Sequence, residues 1–213
     1  MKLKKIFKAL ALVTAGVLTC AMLTACGDKN DSSAAGSKAS EDNTKKFVIT
    51  LYANEAPITC ANFEKLVKEG FYDDLTFHRV VDGFMAQGGD PKGDGTGGSE
   101  ETIKGEFSQN GVENNLSHTR GVVSMARAQD MDSASSQFFI CYSDDDVFLD
   151  GQYAAFGMVT EGMEVVDNFL TIERTTGTDG VKSKPVTPIT IVKAEMIDDD
   201  QDGNHRVQFT MDF

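Results

Sequence analysis

Tryptophan is absent from this chain, basic residues are scarce and cysteines are few, and these shortages limit what the protein can do. Neither Cys60 nor Cys141 has a cysteine or histidine at metal-ligand spacing, so no zinc site or disulfide is expected. Cys60 falls in a helical pattern and Cys141 in an apolar run, and both read as buried free thiols. Lys and Arg number 20 against 33 acidic residues, giving a formal charge of -13 that argues against nucleic acid or an anionic surface as partner. No internal repeat is visible. Asp198-x-Asp200-x-Asp202-Gly203 opens like an EF-hand loop, but Phe209 stands where a bidentate Glu is required, so calcium is not expected. With 213 residues, 40% of them hydrophobic, the chain can build one domain with a sizeable core plus appendages.

The N-terminus reads as an export signal. Lys2, Lys4, Lys5 and Lys8 form a positive region, and Ala9 to Leu18 an apolar stretch too short to span a bilayer comfortably. Leu23-Thr24-Ala25-Cys26 resembles the bacterial lipobox, which implies cleavage after residue 25 and lipidation of Cys26. Removal of residues 1–25 with their four lysines takes the formal charge from -13 to -17. Residues 26–45 are, after Cys26, mostly Ser, Ala, Gly, Asp, Lys and Asn without apolar periodicity, the composition of a flexible tether with a root-mean-square span of roughly 25 Å.

The folded part starts at the strand signal Phe47-Val48-Ile49-Thr50-Leu51. Pro57 and Thr59 open a predicted helix to Glu69, with Phe63, Leu66 and Val67 facing inward. Short strands are predicted at Leu75–Val80, Phe84–Gln87, Gly121–Ala126, Gln137–Cys141, Ala154–Val159 and Ile189–Val192, and a second helix at Gly162–Leu170. Many short strands with two helices imply a closed antiparallel barrel, because closure removes sheet edges. Asp202-Gly203-Asn204 reads as a turn, and His205 to Phe213 alternates as a strand that forms a hairpin with the preceding one. Within the stretch Phe77 to Gly89, Arg79 lies among apolar residues. A guanidinium cannot be deprotonated and holds five donors in a plane, so a site that keeps it against apolar groups keeps it for use. Strict alternation would place Arg79 beside Phe77 and Val81, with His78 on the other face.

Seven segments carry a resemblance. Phe77-His78-Arg79-Val80, Phe84-Met85-Ala86-Gln87-Gly88-Gly89-Asp90-Pro91, Gly95-Thr96-Gly97-Gly98, Gly121 to Ala128, Ser136-Gln137-Phe138-Phe139-Ile140, Leu149-Asp150-Gly151 and Phe156-Gly157 are similar, in order, to the cyclophilin peptidyl-prolyl isomerase signature. The resemblance spans residues 46–198. It implies a mainly β, closed eight-stranded antiparallel barrel capped by two α-helices, with a substrate groove on its outside and no cofactor. Residues 199–213 form an extension beyond it.

The chemistry fits such an activity. An X-Pro bond isomerises over a barrier of about 18 to 20 kcal/mol, because twisting destroys the amide's partial double-bond character. The prolyl nitrogen regains its lone pair as the bond twists, so a donor fixed near it favours the twisted state over the planar one. Arg79 is the expected catalytic donor. The resemblance assigns Phe84, Met85, Phe139 and Leu149 to an apolar pocket for the proline ring, and Gln87 to the substrate backbone. The backbone of Ala126, Arg127 and Ala128 is expected to pair with an extended peptide, Gln137 to support Arg79, and His78 to form groove wall. Two residues depart from the pattern of many eukaryotic members: Phe148 replaces a Trp, which weakens the expectation of cyclosporin binding, and Tyr153 replaces a His. Arg127 in place of a frequent Asn adds a cation beside the groove. The expected protein is a monomeric isomerase acting on proline-containing unfolded or extended polypeptides. It is expected to be exported and lipid-anchored to the outer face of the bacterial cytoplasmic membrane; a noncatalytic peptide-binding chaperone with the same groove is the alternative.

Overall fold

The computed structural model describes residues 45–213. The export signal, Cys26 and the tether up to residue 44 lie outside the described residues.

Ten strands and two α-helices follow one another as β1 (Lys45–Leu51), α1 (Pro57–Lys68), β2 (Arg79–Val81), β3 (Met85–Gly88), β4 (Val122–Met125), β5 (Phe138–Cys141), β6 (Ala155–Glu161), α2 (Met163–Asn168), β7 (Arg174–Thr176), β8 (Lys182–Pro185), β9 (Thr190–Ile197) and β10 (Arg206–Asp212). Eight of the strands form one antiparallel sheet in the order β2-β3-β5-β4-β6-β1-β10-β9, while β7 and β8 pair as a separate hairpin. Register shifts in the β1–β6, β4–β6 and β9–β10 pairs add twist, and the sheet is strongly curled.

The predicted closed barrel is corrected here: the sheet is open between its edge strands β2 and β9. The predicted strand Leu75–Val80 explains why, since only Arg79–Val81 is laddered. Residues 74–77 cross the gap instead, through Asp74 N–H to Ile191 O (2.8 Å), Ile191 N–H to Leu75 O (2.8 Å), Phe77 N–H to Ile189 O (2.9 Å) and one isolated bridge, Thr76 to Thr190. A three-residue strand beginning just after such a crossing has no length left for a second ladder.

Helix α1 has Pro at its first position and no side-chain cap of its own. Its first-turn N–H groups find a partner 47 and 48 residues away: the buried Glu106 carboxylate accepts from the N–H groups of Ile58 (3.0 Å) and Thr59 (2.7 Å) and from the Thr59 hydroxyl (2.7 Å). The helix then lays Cys60, Phe63, Leu66 and Val67 into the curl of the sheet. Phe63 meets Tyr72, Phe138 and Phe156 at centroid distances of 5.1, 5.4 and 4.9 Å. Strand β10 lies in the interior of the sheet between β1 and β9, and its Val207, Phe209 and Met211 face the same core. Phe209 stacks on Phe47 at 5.0 Å. The turn before it is tied by Asp200, whose Oδ1 accepts from the N–H groups of Asp202 and Asn204.

Apolar side chains also collect outside the curl. On β5, Phe138 and Ile140 enter the main core, whereas Phe139 and Cys141 join Met85 and Leu149 in a second cluster. A strand buried on both faces reads as the unbroken apolar run Phe138-Phe139-Ile140-Cys141.

Candidate active site

The sheet register builds the site directly. Arg79 on β2 stands opposite Gln87 on β3, Gln87 opposite Phe139 on β5, and Phe139 opposite Ser124 on β4. These four side chains form a row across the outer face, with strands about 4.8 Å apart. The neighbouring row, Val81, Met85 and Cys141, supplies apolar floor. Phe77 does not share the face of Arg79, as strict alternation had predicted. It is buried in the main core with Val80, because regular alternation begins only where β2 begins.

A cavity of about 140 Å³ opens on this face, lined by Arg79, Phe84, Met85, Gln87, Ala126, Arg127, Phe139, Leu149 and Tyr153. An apolar cavity of ~150 Å³ holds one benzene, so this one is sized for a single small ring. Tyr153 stands edge-on to Phe139 at 5.8 Å. Phe148, 60% exposed, stacks on Phe84 at 5.9 Å and extends the rim; a 3-10 helix at Asp144–Leu149 delivers it together with Leu149. Arg79 lies with its guanidinium carbon 5.8 Å from the Phe84 ring centre.

A relay of amides ties Gln87 into the structure. Gln87 Nε2 donates to Gln137 Oε1 (2.8 Å), and Gln137 Nε2 donates to the carbonyls of Gly95 (3.1 Å) and Gly97 (2.7 Å). The loop carrying those carbonyls wraps around the buried carboxylate of Asp90, which accepts from the N–H groups of Lys92, Asp94 and Gly95. A Cβ at Gly97 would fall 2.1 Å from Asp90 Oδ1, so the wrap requires glycine there. Burial pushes the Asp90 carboxyl up, and the backbone donors outweigh it, leaving the group below its ordinary value.

His78, Ala128 and Gln137 lie beside the cavity of about 140 Å³ and not in its lining. His78 lines an adjoining cavity of about 410 Å³ that shares Arg79 and Gln87 with the first and is bordered by Asp94, Thr96 and Asp179. Both its ring nitrogens are buried without a partner among the described residues, and burial holds its pKa below the ordinary value. Ala128 and Gln137 line a third, polar cavity that meets the first at Gln87, Ala126 and Arg127. The backbone expected to pair with substrate is partly engaged already: Ala126 N–H donates to Gln137 O (2.9 Å) and Ala128 N–H to Ser133 Oγ (3.0 Å). The Arg127 guanidinium is not a free cation beside the groove. It lies between the rings of Phe107 (5.2 Å) and Tyr153 (4.9 Å) and donates to the carbonyls of Gln152, Ala128 and Gln129, so its charge braces the rim.

The family model described as cyclophilin type peptidyl-prolyl cis-trans isomerase matches residues 38–196. The chain belongs to the cyclophilin family. Peptidyl-prolyl cis-trans isomerase B of Bacillus subtilis is 47% identical over 127 residues, which cover 60% of this chain and 85% of that protein. Peptidyl-prolyl cis-trans isomerase ppi1 of Schizosaccharomyces pombe is 42% identical over 150 residues, covering 70% of this chain and 91% of that one. A solved structure of a cyclophilin type isomerase from Cryptosporidium parvum in the presence of the dipeptide Ala-Pro shares 30% identity and a TM-score of 0.61, covering 70% of this chain and 94% of that chain. This cyclophilin is a peptidyl-prolyl cis-trans isomerase, and its β10 lies beyond the matched residues.

A Ser-His-Asp chain lies directly beneath the groove of this cyclophilin. His118 Nδ1 is 2.7 Å from Asp150 Oδ1, and its Nε2 is 2.9 Å from Ser124 Oγ. An ionised Asp only accepts, so Nδ1 carries the proton and Nε2 accepts from the Ser hydroxyl. Ser124 is 0% exposed and the imidazole stacks on Phe139 at 6.1 Å, so the arrangement is a brace under the groove and not a hydrolytic site. Among the described residues no cluster of three or more His, Cys, Asp or Glu could hold a metal ion. Sequence reading missed Asp179, which bonds Arg79 from 100 positions away. The turn dipeptide Asp179-Gly180 between Thr175-Thr176 and Val181 was the available signal.

Proposed function

We propose that this cyclophilin isomerises X-Pro bonds in exported polypeptides at the outer face of the cytoplasmic membrane, held there by lipid on Cys26. The observation that carries the groove assignment is the cavity of about 140 Å³ between Arg79 and the apolar wall of Phe84, Met85, Phe139 and Leu149. A proline ring seated there puts its nitrogen toward the guanidinium. Arg79 Nη2 makes no hydrogen bond among the described residues, which leaves a donor for the lone pair that appears as the amide twists. No nucleophile or proton transfer is required. Stabilisation of the twisted state by roughly 3 to 7 kcal/mol carries the reaction from tens of seconds to an ordinary turnover time. Gln87, held by Gln137, is placed to bond the substrate backbone. Phe148 and Tyr153 extend the contact along the rim.

The assignment to the membrane rests on the sequence Lys2 to Cys26, a positive region, an apolar stretch and a lipobox in order. Two measurements test the proposal. In a protease-coupled assay on Xaa-Pro tetrapeptides the wild type raises the isomerisation rate above background; a noncatalytic peptide-binding chaperone leaves it there. In cells fed labelled fatty acid, the wild type takes up label and Cys26→Ser, running as the unprocessed precursor, does not. Equal labelling of the two defeats the anchor.

A further inference from the structure

Arg79 is a long side chain at an open groove, and a donor acts on a twisting bond only if its direction is fixed beforehand. Its contacts on its own sheet are weak: Nη1 lies 3.5 Å from Gln87 Oε1 and 3.7 Å from Met85 Sδ. The short bond comes from elsewhere. Nε donates to Asp179 Oδ2 at 2.6 Å, with the Arg and Asp side chains 30% and 23% exposed.

Asp179 is itself held. It sits at the tip of the β7–β8 hairpin, where Gly177 N–H donates to Val181 O (2.8 Å) and Gly180 N–H to Gly177 O (3.1 Å). Its Oδ1 accepts from Val181 N–H (3.1 Å) and from the hydroxyl of the buried Ser183 (2.9 Å). A Cβ on Gly177 would lie 2.4 Å from Ser183 Oγ and 2.9 Å from Asp179 Oδ1, so the backbone must approach this pair closely. The base of the hairpin reaches β2 through Arg174 Nη1 to Val80 O (3.4 Å). One carboxylate oxygen is thus fixed by the hairpin, and the other is presented to the guanidinium. Burial pushes the Asp179 carboxyl up, and the bonds from Arg79, Val181 and Ser183 outweigh this, so it is ionised at neutral pH.

We propose that Asp179, held by Ser183, is a positioning residue for Arg79: it fixes the guanidinium through Nε and leaves Nη2 for the prolyl nitrogen. The inference rests on Arg79 being the donor. The competing effect of a carboxylate, neutralising the cation, matters little for this reaction, because the prolyl nitrogen develops a neutral lone pair and requires an aimed N–H more than a net charge. Holding an Arg side chain also removes rotamer freedom that otherwise is lost in each turnover.

The test compares Asp179→Ala, Asp179→Asn, Arg79→Ala and the double variant Arg79→Ala/Asp179→Ala in the full chain, reading kcat and KM on a proline tetrapeptide. Asp179→Ala lowers kcat by about 10-fold with KM changed less than about 2-fold, and Asp179→Asn, which still accepts a hydrogen bond, recovers part of the loss. In the Arg79→Ala background Asp179→Ala has no further effect, as expected of residues acting through one another. An Asp179→Ala variant as fast as the wild type overturns positioning, and a faster one overturns it and makes the contact autoinhibitory. The same loss in both backgrounds overturns it in favour of hairpin stability. Full activity in Arg79→Ala defeats the donor reading itself, which is a separate result from Asp179→Ala being silent while Arg79→Ala is inactive.

Discussion

Two histidines that look alike in the sequence have opposite environments. His118 is buried, and loss of hydration outweighs its bond to Asp150, so its pKa is lowered. His205 stands exposed beside Glu64, with Nδ1 2.6 Å from Oε1, and that bond raises its pKa. The linkage signs are opposite. A lowered His pKa means the unfolded chain binds the proton more readily, so the His118 contribution to stability shrinks as pH falls below the unfolded value of about 6.5. The His205 contribution is present below that value and is lost as pH rises through its folded pKa. A titration followed by NMR should therefore find His118 mostly neutral at pH 6.5 and His205 mostly charged. A midpoint for His118 at or above that of His205 would remove the neutral Ser124–His118–Asp150 brace. At this scale the sequence revealed residue types better than roles. Arg127 was legible as a cation near the groove, but its place between Phe107 and Tyr153 depends on side chains 20 or more positions away.

Among the elements, those with unmixed periodicity were legible. Helix α1 and its inward Phe63, Leu66 and Val67 follow from spacing alone, and β10 from the alternation of Val207, Phe209 and Met211. The position of β10 inside the sheet was not legible, since alternation identifies a buried face but not a neighbouring strand. The β7–β8 hairpin went unread because its Thr, Lys and Ser residues carry no apolar period, and with it went Asp179 and Ser183. An interior strand makes a strong prediction. Phe209→Ala should cost about 3 to 5 kcal/mol and lower the melting temperature by roughly 10 °C. Deletion of residues 199–213, which strips β1 and β9 of a shared partner, should abolish cooperative unfolding. A truncated chain that melts like the wild type would mean that the sheet closes ranks without β10.

For the molecule as a whole, the motif segments converge on one outer face because β2, β3, β5 and β4 are hydrogen-bonded neighbours, although β5 follows β3 by some 50 residues. That convergence was available to the sequence only through the resemblance; periodicity cannot assign a strand whose two faces are both apolar. Openness of the sheet was not available at all, since it depends on how residues 74–77 cross between β2 and β9. The proposed role of Arg79 is to stabilise the twisted X-Pro bond more than the planar one. It is tested by measuring, for Arg79→Ala and wild type, both kcat/KM in the protease-coupled assay and the dissociation constant of a proline peptide. Catalytic efficiency is expected to fall by about 10²-fold or more while peptide affinity falls by only a few-fold, because the lost bond forms mainly in the transition state. Near-normal efficiency, or an affinity loss as large as the rate loss, would contradict it.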